Sequence, residues 1–253
     1  MKRMNRFEGK TVVLTGGGDM GLAAAERFLE EGANLVLADY SREVLDFCAA
    51  ALRHKGAELS RMRTVLCDVR RIEDCRRVAE LAKEEFDRVD VLVTTAGILK
   101  HSPVEEMAEE DWQNVLDINL TGTFHCVKAM VPVMKTQRYG RIVLISSLGG
   151  RKGRPGVAVN YAASKAGVVG LTMALAEELG AWNITVNSIA PGPLRGKMAE
   201  SQSPETRARL NAGIPLGRIG EVCEIANAIA FLASDESAWT TGEVLDINGG
   251  LQY

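Results

Sequence analysis

Thr11-Val12-Val13-Leu14-Thr15 runs directly into Gly16-Gly17-Gly18-Asp19-Met20-Gly21, and a long helical pattern follows at once. Gly16, Gly18 and Gly21 match G-x-G-x-x-G between an apolar, β-branched run and a helix, the setting in which that spacing has a mechanism. Glycine permits the tight turn and lets backbone amides approach a pyrophosphate at the positive end of the helix. The next apolar run ends at Asp39, eighteen residues after Gly21. An acid there accepts from the adenosine ribose hydroxyls. It also repels a 2′-phosphate by about 4 kcal/mol per charge pair at about 4 Å. Asp19 adds negative charge on that side, and Arg42 would have to outweigh Asp39 before holding a phosphate. The stretch predicts a dinucleotide site with NAD favoured over NADP.

Outward from this loop, short apolar runs alternate with helical patterns along the chain. The predicted strands are 11–15, 34–38, 64–66, 90–94, 141–146, 184–189 and 244–247, most of them apolar on both faces, as in parallel strands covered by helices on each side. Helices are predicted over 22–31, 42–55 and 72–87, with Ser41 as an N-cap and Gly56 as a stop. A further short helix should start at Ser203-Pro204. Right-handed crossovers between repeated β–α units give an α/β fold, one Rossmann-type doubly wound parallel sheet with helices on both faces. No linker or repeat divides residues 1–253, so one domain is expected, with a substrate lid at about 191–215.

Composition excludes several function classes. Of 253 residues, 46% are hydrophobic and 25% charged, and the net charge is −3, so no basic field exists for nucleic acid or an acidic membrane. The five cysteines, Cys48, Cys67, Cys75, Cys126 and Cys223, are scattered without a C-x-x-C pair. That spacing predicts reduced thiols rather than disulfides or a zinc site, and the three histidines offer no metal site. The polar start MKRMNRFEGK has no apolar core of a signal peptide, and no apolar run reaches the roughly 20 residues of a membrane span. A cytoplasmic protein is expected.

Tyr161-Ala162-Ala163-Ser164-Lys165 places a tyrosine and a lysine one helical turn apart on one face. Tyrosine is a poor base at neutral pH, but a nearby ammonium and an oxidised nicotinamide both favour phenolate. The run 141–146 ends in Ser146-Ser147 at the carboxyl edge of the expected sheet, where ligands of such folds bind. Ser147 and Tyr161 could therefore hold a substrate oxygen between two hydroxyls.

With these residues in place, the chain resembles the short-chain dehydrogenase/reductase family from about Gly9 to Gly250. The motifs that carry the resemblance are the glycine loop, Cys67-Asp68-Val69, Thr94-Thr95-Ala96-Gly97, Asn119 in DINLTG, Ser147, YAASK, Pro191-Gly192 and the TGEVLDINGG ending. It implies an oxidoreductase interconverting a secondary alcohol and a ketone. Tyr161 would be the general acid/base, Lys165 would hold the nicotinamide ribose and lower the tyrosine pKa, and Ser147 would orient the substrate. Asn119 would anchor a water in a proton relay reaching Lys165. Asp68 and Val69 would border the adenine, while Ala96, Gly97, Pro191 and Gly192 would flank the cofactor beside Gly16, Gly18, Asp19, Met20 and Gly21. The resemblance also implies a homotetramer built on helices around 111–134 and 157–181.

Four positions depart from the family's pattern. The glycine loop is one residue shorter, with Met20 where a glycine is expected. Thr94-Thr95 replaces Asn-Asn, Gly196 replaces a threonine that bonds the carboxamide, and Asn248 replaces an aspartate. For the substrate, Lys100, His101, Arg151, Lys152, Arg154, Arg195 and Lys197 near the expected mouth raise the possibility of an anion, against which stands an ordinary solvated charged loop. An NAD-linked polyol, sugar, hydroxy acid or hydroxysteroid dehydrogenase is the leading expectation. One alternative is a 3-oxoacyl-carrier-protein reductase, for which Arg138 fits a docking position but Trp182 stands where a second arginine is expected. Another is a non-catalytic NAD(H)-binding sensor on the same fold.

Overall fold

Successive residues of the first strand point to opposite sides of the sheet, and both sides are buried: Val12 and Leu14 join one core, Val13 the other. The computed structural model describes residues 5–153, 157–196 and 211–251. Its strands are β1 (Thr11–Thr15), β2 (Asn34–Asp39), β3 (Met62–Leu66), β4 (Val91–Thr94), β5 (Gly140–Ile145), β6 (Ile184–Pro191) and β7 (Val244–Ile247). They form one seven-stranded sheet in the order β3-β2-β1-β4-β5-β6-β7. Every pairing is parallel, with Val12 opposite both Leu35 and Val91. This is the Rossmann-like α/β architecture expected.

Helices described in full are α1 (Asp19–Glu30), α2 (Arg42–His54), α3 (Ile72–Phe86), α4 (Glu109–Leu116), α5 (Gly122–Gln137), α6 (Val159–Leu179) and α7 (Val222–Leu232). One core lies under α1, α2 and α7 and includes Phe28, Leu45, Cys48 and Ile229. The other lies under α3, α5 and α6 and includes Val78, Met130, Met134 and Val168. Ser41 caps α2 as expected, its hydroxyl accepting from the Val44 amide. Gly56, at φ +80°, turns the chain just after α2.

Two features refine the expected pattern. The helical stretch 111–134 is not one regular helix: a π turn, Asp117–Thr121, separates α4 from α5. Strand β3 begins at Met62 rather than residue 64, because the ladder to β2 already pairs Leu35 with Met62. The helix expected at Ser203-Pro204 and most of the expected lid lie outside the described residues.

The sheet order reverses between β1 and β4. From β1 the chain builds toward β3 on one side, and from β4 toward β7 on the other, which leaves a crevice at the carboxyl ends of β1 and β4. Among the described residues, no helix is long and apolar enough to cross a membrane.

Candidate active site

The glycine loop is locked to the far side of that crevice. Gly16 has φ +95°, and a Cβ there would lie 2.5 Å from the Ala96 amide nitrogen, so only glycine fits. Gly21 packs equally closely under the Gly16 carbonyl. Gly18, the residue before α1, faces open space instead and offers α1 no side-chain cap. The first amides of a helix have no intrahelical partner, so this end of α1 is suited to an anion. Thr95 shows why the Thr-Thr departure is tolerated: its hydroxyl lies 2.9 Å from both the Thr15 and the Gly16 carbonyl oxygens.

Asp39 ends β2 nearly buried, and its two oxygens accept from the Gly17 amide at 2.7 Å and the Ser41 amide at 2.9 Å. These bonds fix the orientation of the carboxylate at the edge of the crevice. Cys48 secures the same loop by donating to the Gly17 carbonyl. Farther out, Arg70 pairs with Asp68 at 2.6 Å and holds its carboxyl below the usual range. Val69 packs on Gly122 and leaves no room there for a side chain. Pro191 closes β6, and the Gly192 amide donates to Ile247 across to β7. Asn248, in place of the expected aspartate, accepts from the Gly250 amide at 3.0 Å and holds that turn.

On the other side of the crevice, Tyr161 and Lys165 lie one turn apart near the start of α6. The Lys165 ammonium is 5.8 Å from the centre of the Tyr161 ring and donates to the Ile145 carbonyl at 2.8 Å. Burial pulls the Lys165 pKa down from 10.5 to about 8. Tyr161 departs from the expectation that its pKa is lowered. Burial raises it, and the Ser147 hydroxyl beside it pulls only partly back. The physical reason is desolvation: a nearly dry site disfavours phenolate more than its neighbours favour it. Ser147 itself accepts from the Gly149 amide at 3.1 Å, which aims its oxygen.

Asn119 sits fully buried on the π turn. Its side chain accepts from the Ile98 amide at 2.8 Å and donates to the Ile98 carbonyl and the Ser164 hydroxyl. Ser164 in turn donates to the Tyr161 carbonyl at 2.8 Å. Gly97 lies against this cluster, because a Cβ there would lie 3.2 Å from Asn119 Oδ1 and 3.6 Å from Lys165 Nζ. The structure thus brings Asn119, Ser147, Tyr161, Lys165, Ala96 and Gly97 to one end of β4 and β5.

Several positioning residues escaped the sequence reading. Ser146 donates to the Lys165 carbonyl at 2.8 Å, and Asn160, fully buried, accepts from the Tyr161 amide and donates to Asp111 on α4. Gly150 allows the serine loop to lie on α6, since a Cβ there would be 2.5 Å from the Lys165 carbonyl carbon. Ser146 and Ser164 stood inside the motifs quoted above, yet only geometry separates their roles from those of their neighbours.

Three of the basic residues near the mouth are engaged with carboxylates. Arg151 pairs with Asp246 at 3.1 Å, Arg195 with Glu221 at 2.9 Å and Lys100 with Asp111 at 3.9 Å. Arg154 and Lys197 lie outside the described residues. All five cysteines are free thiols, and the described residues contain no group of His, Cys, Asp and Glu able to hold a metal.

The family described as enoyl-(acyl carrier protein) reductase matches residues 18–252. The 3-oxoacyl-[acyl-carrier-protein] reductase FabG of Thermotoga maritima is 40% identical over 247 residues, covering 97% of this chain and 99% of that protein. Among solved structures, a 3-oxoacyl-[acyl-carrier protein] reductase with bound NAD from Brucella melitensis superposes with TM-score 0.89 at 33% identity, over 99% of this chain and 94% of that one. A short-chain dehydrogenase/reductase described as a glucose/ribitol dehydrogenase, from the same organism, gives TM-score 0.90 at 36% identity over 98% of each chain.

Proposed function

Because the chain belongs to the short-chain dehydrogenase/reductase family, an oxidoreductase family acting on CH–OH groups, we propose that it reduces a 3-oxoacyl thioester to the hydroxyacyl thioester, with NADH as the preferred reductant. The observation that carries the chemistry is the placement of Tyr161 beside Ser147 and one turn from Lys165, at the crevice where the glycine loop meets Ala96-Gly97. The crevice fits a dinucleotide: the close-packed glycines leave backbone amides exposed at the start of α1, and Asp39 presents a fixed carboxylate. Gly16, Gly18, Asp19, Met20 and Gly21 would border its pyrophosphate, Asp39 its adenosine ribose, and Asp68 and Val69 its adenine. Ala96, Gly97, Pro191 and Gly192 would flank its nicotinamide half.

When bound, the dinucleotide supplies the hydride, and the chain's own residues manage the proton. Ser147 and Tyr161 take the substrate carbonyl oxygen between their hydroxyls. Tyr161 donates its proton to that oxygen as negative charge develops there, and burial helps by keeping the phenol protonated beforehand. Lys165, with a pKa of about 8, is mostly an ammonium at neutral pH and stabilises the phenolate that results. Asn119 keeps Ile98 and the Tyr161 turn in register and would anchor a water leading to Lys165. In the reverse direction Tyr161 takes the proton from the alcohol.

The thioester class rests on the FabG relatives, and the NADH preference on Asp39, with the NAD-bound Brucella structure as further support. One feature favours a second reading, an NAD-linked dehydrogenase of a free alcohol or polyol. Trp182 stands where a second docking arginine is expected, and Arg138, 5.5 Å over its ring, is left as the single cation of that pair for an acidic carrier. Initial rates with a 3-oxoacyl thioester, on and off a carrier protein, against a polyol and sugar panel distinguish the two. The proposal expects the thioester to be turned over best, and faster with NADH than NADPH. A polyol preferred by tenfold would replace it with the second reading. NADH binding without turnover of anything would favour a sensor. The exposed Phe124 on α5 and Val159 and Met173 on α6 support a homotetramer, which sedimentation measures directly. Five free thiols suit a cytoplasmic setting.

A further inference from the structure

Ser147 lies beyond the end of β5 and opens the short turn 147–151, so the place of its hydroxyl depends on what holds that turn. Inside the turn the bonds are local. The Gly150 amide donates to the Ser147 carbonyl at 2.9 Å, and the Arg151 and Lys152 amides donate to the Leu148 carbonyl at 3.1 and 3.0 Å. Gly150 fastens the turn to α6, lying against the Lys165 backbone. At the far end, the Arg151 guanidinium reaches past β6 to pair with Asp246 on β7 at 3.1 Å. Asp246 stands opposite Ala190 in the ladder, and the next residue, Ile247, accepts from the Gly192 amide. The ion pair therefore joins the turn that carries Ser147 to the wall that carries Pro191-Gly192. The second carboxylate oxygen, Asp246 Oδ1, is buried without a hydrogen-bond partner among the described residues, so among them the Arg151 guanidinium is what compensates this carboxylate. The two side chains keep 29% and 22% of their exposure, so water screens the pair and its contribution to stability is small.

We propose that Arg151 and Asp246 are a positioning pair that sets where the Ser147 hydroxyl stands relative to Tyr161 and the nicotinamide wall. The inference rests on the reading of Ser147 and Tyr161 as the two hydroxyls that hold the substrate oxygen. It gives Arg151 a task other than binding an anionic substrate. Without the pair, the turn keeps its internal bonds but pivots on Gly150, and the Ser147 hydroxyl shifts away from the oxygen it shares with Tyr161. A misplacement of about 1 Å slows a positioned reaction by up to about 100-fold.

The test is steady-state kinetics with whichever substrate of the thioester, polyol and sugar panel the wild type turns over best, using NADH for a ketone and NAD for an alcohol. The variants are Arg151→Ala, Arg151→Lys, Asp246→Ala, Arg151→Ala/Asp246→Ala, and Asp246→Ala combined with Ser147→Ala. Arg151→Ala and Asp246→Ala should each lower kcat about tenfold, the double variant no further, and Arg151→Lys should recover most of the rate. NADH binding by fluorescence should stay within about twofold and thermal midpoints within about 4 °C of wild type, which separates positioning from loss of fold. With Ser147→Ala already present, Asp246→Ala should cost under about twofold in kcat, because the hydroxyl it positions is gone. Single-variant losses below about twofold, losses that multiply in the double variant, or an undiminished loss without Ser147 overturn the proposal and leave the serine–tyrosine chemistry standing. A thermal midpoint lowered by more than about 10 °C in the alanine variants makes the pair structural and also overturns it. If the wild type turns over nothing on the panel, that chemistry and the proposal fall together.

Discussion

Lys165 is a buried ammonium that donates to the Ile145 carbonyl, and its burial makes the pH dependence of folding a sensitive probe of the site. Its pKa falls from 10.5 in the exposed state to about 8 in the folded protein, because burial penalises the charged form. A group whose folded pKa is depressed in this direction binds more protons when unfolded, so stability rises with pH across the window from about 8 to 10.5. Below about pH 8 both states carry the proton and the penalty is constant, at about 3 kcal/mol from the 1.4 kcal/mol that each unit represents. By pH ~9.5 roughly 2 kcal/mol of that penalty is relieved. Lys165→Met keeps the length and apolar stem of the side chain and removes the charge. Urea unfolding of both proteins without cofactor, at pH 7 and again at pH 9.5, gives a double difference in which other titrating groups largely cancel. Wild type should gain about 2 kcal/mol on the variant between the two pH values. A double difference of zero, or one of opposite sign, would refute a desolvated Lys165 and with it the description of the site as dry.

Other perturbations give equally definite outcomes. Asp39→Asn removes the charge facing a 2′-phosphate, and the ratio of kcat/KM for NADPH over NADH should rise about 100-fold, within the several kcal/mol that a charge pair can supply near the surface; an unchanged ratio would contradict Asp39 as the discriminator. Gly16→Ala forces a side chain onto the Ala96 backbone at φ +95° and should lower the thermal midpoint by several degrees, whereas Gly18→Ala, facing open space, should leave the midpoint unchanged and weaken NADH binding. Arg151→Ala breaks the pair with Asp246 and should cost under about 1 kcal/mol of stability. Its KM should change no more for anionic than for neutral substrates, and a selective loss for anions would reinstate Arg151 as a substrate-binding cation.

The fold was legible because its signals are local. β-branched runs mark all seven strands, and the glycine loop marks where the first strand meets its helix. The Tyr161–Lys165 pair was legible for the same reason, since helical spacing alone places both on one face. The roles of Asn160, Ser146 and Ser164 were not, and Asn119 was reached only through the resemblance, because each makes a hydrogen bond to a residue distant in sequence. Nor could the chain announce the π turn at Asp117–Thr121, which lies where α4, packed on α6, passes into α5, packed on α3, while Asn119 turns toward Ile98. The basic residues near the mouth left an anion site and a solvated charged loop both open in the sequence, because only the folded chain pairs Lys100, Arg151 and Arg195 with Asp111, Asp246 and Glu221.

Tyr161→Phe addresses the central claim most directly, because it removes one oxygen and leaves the ring, Lys165 and the crevice in place. The account predicts unchanged NADH binding by fluorescence and a fall in ketone reduction of at least about 100-fold, as expected for loss of a positioned proton donor. Turnover within tenfold of wild type, with NADH bound normally, would contradict it.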